Sequence, residues 1–411
     1  MYRTIEGVRV WGEPIDERAV AQAARCLREA PEAVAAALMA DHHVGYSMPI
    51  GGVIAYVDAV SPSGVGYDIG CGNTCVLTDL RLEHVQRDLP SIMDEIAATV
   101  SFGIGSKARN SDHTIFNDQR WNAFADVGRT VQEQLLKTAR EQLGSVGAGN
   151  HYVDLFRDDD DRIWVGTHFG SRGFGHRTAT GFLNLARGAQ FLDKPARESM
   201  DAASTVLPLT SAIGQLYWAA MELAADYARA GRTIVLRQVL RILGATSVDW
   251  IENNHNQAWR ERQTIDGDIT EVVVVRKGAT PAFPGQRGFV GGSMGDSAAI
   301  VVGIDTPAAQ AALHSTIHGA GRVMSRTQAG GKLNWKTGMR SGGQITREMM
   351  LQWLDERGVI LRGAGTDEAP QAYKRLDAVL EAQRDSIDIE RRLHPIGVVM
   401  AGESEFDPYR D

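Results

Sequence analysis

Between positions 17 and 40 apolar residues recur three and four apart among many alanines, which predicts a helix over 17–40. From about 48 to 80 the pattern shortens. GGVIAYVDAV and CVLTDL are β-prone runs broken by the Gly/Pro/Ser-rich SPSGVG, so this stretch reads as strands. VQEQLLKTAREQL carries an apolar stripe among charges and marks a helix over 121–143. HYVDLF and RIWVGTHF read as strands joined by an acidic turn at 158–161. Residues 196–243 read as mostly helical, EVVVVRKG and AAIVVGI as strands, and 346–357 and 371–384 as helices. The order is irregular and contains no repeating βαβ unit, so the expected class is α+β, with mixed sheets and surrounding helices. With no internal repeat and no linker-like stretch, one domain over 1–411 is expected. The glycine-rich AGGKLNWKTGMRSGG at 329–343 is the segment expected to be mobile.

Composition narrows this picture without changing it. At 43% hydrophobic and 23% charged residues the chain is ordinary globular material. No apolar run approaches the roughly 18 residues that a membrane span needs. The start, MYRTIEGVRVWGEPIDERA, lacks a basic region followed by an apolar one, so no signal peptide is read and a cytoplasmic enzyme is expected. Three cysteines (Cys26, Cys71 and Cys75) suit reduced thiols rather than a disulfide framework. A net charge of −8 excludes a broadly basic nucleic-acid binder, and any RNA must be met by a local basic patch.

The 44 glycines cluster, and the clusters carry the chemistry. Asp68 and Cys71 lie in GYDIGCGN, His151 in GAGNHYVD, His168 in GTHFGSRGFGH and His255 in ENNHNQAW. Thiolate, imidazole and carboxylate together suit a borderline divalent metal, and the carboxylate leaves room for manganese. A thiolate can also bridge two ions. Taken singly, a Cys in such a loop is more often a small buried hydrophobe and a His more often structural, so spacing leaves the metal centre open. In STIHGAGRVMSR, His318 is followed by glycines and by Arg322 and Arg326, an imidazole beside cations that suit phosphate oxygens. The competing reading is a turn with a structural His and two surface arginines.

GYDIGCGN, GAGNHYVD, HFGSRGFGH, HNQAW, VRKGATPAFPGQ, GGSMG and HGAGRVMSR occur in the order seen in the RtcB family of GTP-dependent RNA ligases. MADHHVGYSMPIGGVIA resembles the family's early segment and QAYKRLDAVLEAQ its late one, so the resemblance runs from about 40 to 400. It implies joining of RNA 2′,3′-cyclic phosphate or 3′-phosphate ends to 5′-hydroxyl ends, with GTP and two Mn²⁺ per site. On this resemblance Asp68, Cys71, His151, His168 and His255 bind metal, with Cys71 bridging. His318 attacks the α-phosphate of GTP, the GMP passes to the RNA 3′-phosphate, and the 5′-hydroxyl displaces it. A cyclic phosphate is first hydrolysed at the same centre. Asn150 matches a phosphate contact, and Ser293, Tyr373 and the backbone around Ala320 match positions lining the guanosine. Arg172, Lys277 and Arg276 are candidates to hold RNA phosphates, with Arg322 beside His318.

Two guanosine-contacting positions depart from the family pattern. Asp154 stands where a Glu is usual, one methylene shorter. Met400 stands where the family's tail has a lysine, and a short extension follows it. Methionine supplies neither charge nor a conventional hydrogen bond. These changes bear on GTP affinity and suit a divergent paralogue, and they leave the ligand set and His318 intact. Two other classes stand beside the ligase: a metal-dependent phosphoesterase or RNA 3′-end guanylylating enzyme that does not seal, and a non-catalytic RNA-binding module. The intact ligand set weighs against the second.

Overall fold

The first helix is shorter than its alanines predict. In the computed structural model, which describes residues 1–108, 112–195, 199–333 and 340–403, it spans Glu17–Glu29 and gives way to a strand at Ala33–His43. Ala30 is extended because Pro31 follows it, and a residue before proline is pushed out of the helical region. The strand escapes the usual alternation because both its faces are buried. Ala36 and Leu38 pack into one apolar cluster, and Ala35, Ala37 and Met39 into another.

That strand belongs to a six-stranded sheet ordered Arg3–Ile5, Val8–Val10, Ala33–His43, Ile50–Tyr56, Asp268–Lys277, Asn256–Ile265. A larger sheet runs Ser247–Asn254, Gly72–Arg81, Arg162–Phe169, Tyr152–Asp158, Ile387–Gly402, Ala298–Gly303, Arg287–Val290, with Ile360–Ala364 pairing parallel to Ile387–Gly402. Helices cover the sheets, the longest being Ala212–Leu243, so the α+β expectation holds. No helix of the described residues is long and apolar enough to cross a membrane.

Several elements differ from their sequence pattern in their ends. The helix expected over 121–143 is two, Asn122–Val127 and Arg129–Gln142, parted at an extended Gly128. In 196–243 the helix begins only at Ala212, where the Ser211 hydroxyl accepts from Gly214 N and caps it. In 371–384 it covers Leu376–Gln383. Of the segment at 329–343, residues 334–339 lie outside those described; Lys332–Leu333 pairs with Arg340–Ser341.

Candidate metal centre and phosphate pocket

The proposed ligands converge because neighbouring strands of the larger sheet end together. Gly72 lies opposite both Phe169 and Asn254, so Cys71, His168 and His255 sit at adjacent strand ends. His168 is also the register partner of Tyr152, which brings in His151. His255 occupies the point where the chain leaves the larger sheet after Ser247–Asn254 and enters the smaller one at Asn256–Ile265, and its N–H donates to the Cys71 carbonyl. Gly170 is required here, since a Cβ on it would lie 2.1 Å from Asp68 Oδ1.

The donor atoms form two triads with one member in common. Cys71, His168 and His255 are all buried, and Asp68 and His151, which form the second triad with Cys71, are half-buried; within each triad the ligand atoms lie within 4.8 Å of one another. Cys71 Sγ is 3.6 Å from His168 Nε2 and 3.7 Å from His151 Nε2, which is itself 3.1 Å from Asp68 Oδ2. Asn73 fixes one ring. Its amide nitrogen donates to the Phe289 carbonyl, leaving Oδ1 to accept from His168 Nδ1 at 2.7 Å, so the His168 lone pair is on Nε2, towards Cys71.

The electrostatics fit divalent cations. Burial, reinforced by neighbouring imidazoles, holds His168 and His255 neutral, their pKa well below the ordinary value. Burial would raise the Asp68 carboxyl, but the hydrogen bond and charge of His151 outweigh it and keep it ionised. Burial and the Asp68 carboxylate push the Cys71 thiol well up, so a thiolate there needs a cation to stabilise it. The Nδ1 atoms of His151 and His255 are buried without a hydrogen-bond partner among the described residues. Three imidazoles, a carboxylate and a thiol form a donor set that a pair of divalent ions would satisfy.

Beside this cluster opens a cavity of about 300 Å³, and His318 projects into it 4.9 Å from the His255 ring, centroid to centroid. His318 follows the short strand Ser315–Ile317. Its Nδ1 is 2.6 Å from Oδ2 of Asp41, and the same oxygen accepts the backbone N–H groups of His318 at 2.9 Å and Gly319 at 3.2 Å. Asp41 is wholly buried. Burial raises its pKa, but the charge and hydrogen bonds of His318 reverse the sign and leave it low. Sequence reasoning did not single out Asp41, although an acid inside the apolar run LMADHHV is a signal, because a carboxylate is rarely buried without a partner.

The cavity also gathers Asn150, Asp154, Ser293, Ala320, Tyr373 and Met400, together with Arg322. Asp154 Oδ1, Ser293 Oγ and Tyr152 Oη are buried there without a partner among the described residues. Arg322 is engaged: Nη1 donates to Glu368 and to the Tyr373 hydroxyl, and Nη2 to the Asp367 carbonyl. Arg326 lies 2.9 Å from the other Glu368 oxygen. Glu368, also missed in the sequence, thus ties both arginines to the pocket wall.

Two residues expected at RNA phosphates lie elsewhere. Lys277 is buried and donates to the carbonyls of Tyr46 and Ser63. Arg276 is fully buried, with both Nη atoms on the Glu261 carboxylate at 2.6 and 3.0 Å. Side chains alternate along a strand inside a packed molecule, and both neighbours here find internal partners. Arg172 sits behind His151, spending Nη2 on the Gly103 carbonyl and Nε on Ser145.

A family described as "tRNA-splicing ligase RtcB" matches residues 22–401. The chain is 31% identical to the "tRNA-splicing ligase RtcB" of Archaeoglobus fulgidus, over 93% of this chain and 91% of that protein. It is 30% identical to the "RNA-splicing ligase RtcB" of Mycobacterium tuberculosis, over 88% and 95%. A eukaryotic relative, "RNA-splicing ligase RtcB homolog 1" of Entamoeba dispar, is 27% identical over 90% of this chain and 79% of its own length.

Proposed function

Since the chain belongs to the RtcB family of RNA ligases, we propose that it seals RNA 3′-phosphate or 2′,3′-cyclic phosphate ends to 5′-hydroxyl ends, using GTP, Mn²⁺ and a guanylylated His318. The observation that carries this reading is the pairing in one cavity of two ligand triads sharing Cys71 with an imidazole backed by a buried carboxylate. Asp68, Cys71, His151, His168 and His255 would hold two Mn²⁺ ions, which when bound offset the charge of a triphosphate.

With Nδ1 placed 2.6 Å from Asp41 Oδ2, His318 would present an Nε2 lone pair to the cavity. That nitrogen attacks the α-phosphorus of GTP; an N–P bond forms, the bond to the bridging oxygen breaks, and pyrophosphate leaves. Asp41 holds the ring's orientation and offsets the positive charge that develops on it, as the carboxylate of a catalytic triad does. The RNA 3′-phosphate takes the GMP from His318, and the 5′-hydroxyl then displaces GMP from the activated end. Water opens a cyclic phosphate beforehand.

Incubation with α-labelled GTP and Mn²⁺ followed by a denaturing gel tests the first half. The wild type should carry an acid-labile label that His318→Ala loses while retaining its metal. A label that persists in His318→Ala moves the nucleophile elsewhere. RNA with a 3′-phosphate and a 5′-hydroxyl tests the second half, since labelling without joined product would favour the non-sealing enzyme.

A further inference from the structure

Behind the metal centre, in the middle of the helix Ala212–Leu243, lies Arg232. It is fully buried, and its helix neighbours on the core side are Ala228, Val235 and Leu236. Its guanidinium reaches three separate stretches of chain. Nη1 donates to the carbonyls of Gly70 at 3.0 Å and Phe169 at 2.9 Å, Nη2 to Asn254 Oδ1 at 2.6 Å, and Nε to Thr74 Oγ1 at 3.0 Å.

Those partners are not scattered. Gly70 lies between Asp68 and Cys71, Phe169 follows His168, and Asn254 precedes His255. Three strand ends lie side by side here, Gly72 facing Phe169 on one side and Asn254 on the other, and Arg232 reaches across all three. The loop is pressed onto the helix from the same side. Gly70 has φ +70°, and a Cβ on it would sit 2.6 Å from Ala225 Cα, two helical turns before Arg232.

Burying a guanidinium is costly unless every donor is used, and an apolar residue would fill this helix position without that cost. What arginine adds is reach. Its planar fork carries five donors in fixed directions, whereas a lysine ammonium is a single point that cannot span three strand ends.

We propose that Arg232 is a positioning residue of the metal centre, setting the spacing of the Asp68–Cys71 loop, His168 and His255 so that one thiolate serves both ion sites. This rests on the metal-centre reading above, and the test separates the two. The full-length protein is titrated with Co²⁺, following the thiolate-to-metal charge-transfer absorption and the bound metal by equilibrium dialysis. Every variant is measured below its own unfolding temperature.

Arg232→Lys should lose about ten-fold or more in affinity for at least one of the two ions, with a changed charge-transfer band, the scale seen when a group orienting a metal ligand is removed. Val239→Ala, a cavity in the same helix away from the ligands, should lower the unfolding temperature and leave the titration alone. If Arg232→Lys does not fold, Asn254→Ala and Thr74→Val each remove one arm and should weaken binding in the same sense. Wild-type titrations in Arg232→Lys, or in both single-arm variants, overturn the role of Arg232. A wild type without any thiolate band overturns the metal centre itself, and this proposal with it.

Discussion

Met400→Lys is the change with the best-defined expected gain. Met400 lies on Ile387–Gly402 opposite Tyr152, and Val398 lies opposite Asp154. Alternate residues share a face, so Tyr152, Asp154, Val398 and Met400 all line the cavity, with Met400 diagonal to Asp154. Such diagonal pairs are about 7–8 Å apart, within reach of a lysine side chain. Asp154 is buried, one of its oxygens has no partner among the described residues, and burial pushes its carboxyl well above the usual range. The arginines that line the cavity, Arg322 and Arg326, both point at Glu368. An ammonium at 400 would therefore meet a carboxyl that it can ionise and a nucleotide that it can bind. A charge-assisted hydrogen bond contributes roughly 1.5–3 kcal/mol. At about 1.4 kcal/mol per factor of ten, the GTP concentration for half-maximal His318 labelling should fall about ten-fold or more. The assay is label incorporation across a GTP series, repeated with ATP to compare base preference in the two forms. A wild type already saturated at low micromolar GTP, with no shift in Met400→Lys, refutes the reasoning and means that another group supplies the contact.

Cys71→Ala should release more metal than any single His replacement, because its sulfur belongs to both triads, whereas Cys75→Ala, in an apolar cluster, should keep both ions; elemental analysis after dialysis decides. Asp41→Asn should slow His318 labelling, by up to about 10⁴-fold if the amide fixes the wrong tautomer as in a serine-protease triad, with metal content unchanged. Arg276→Ala should destabilise the fold by about 3–5 kcal/mol in urea by stranding Glu261, yet leave RNA affinity per folded molecule as it was. The folded-state pKa of Asp154 is raised, so its stabilising contribution is complete below the unfolded value of about 3.9 and is lost as pH rises through the folded one. Asp154→Asn should therefore flatten the fall in urea midpoint between acid and neutral pH.

The strands Tyr152–Asp158 and Arg162–Phe169 were legible although both faces are buried, because β-branched and aromatic residues flank an acidic turn, and Arg347–Asp355 was legible from its half-buried helical stripe. Periodicity failed where the residues suit helix and strand alike or where a proline interrupts the run. Ala33–His43 looks helical because alanine fits both structures, and only Pro31 marks the boundary. Ile387–Gly402 was unread as a strand because Pro395 interrupts it, and the sheet accommodates that proline at an irregularity in register. The proposed ligands could be named one by one from their glycine-rich surroundings, but their meeting is a property of strand order, which no local pattern carries. Asp41, Asn73, Arg232 and Glu368 escaped for a related reason. Each acts on a partner at least 40 residues away in sequence, and a single polar residue in an apolar stretch does not say what it faces.

The disposition of charge near the site bears on how a chain of net charge −8 would take the anionic substrates of the proposed function. Lys277 and Arg276 are spent on the interior, and Arg322 and Arg326 share Glu368. What the metal centre offers instead is a donor set of three imidazoles, those of His168 and His255 held neutral, with the Asp68 carboxylate and the Cys71 thiol. The fixed charge of the donor set itself is that of the Asp68 carboxylate. Two divalent ions bring four positive charges against at most two negative ones from Asp68 and Cys71, and the potential inverts. On the proposed function, two such ions would draw phosphates towards a wall where Glu368 holds Arg322 and Arg326.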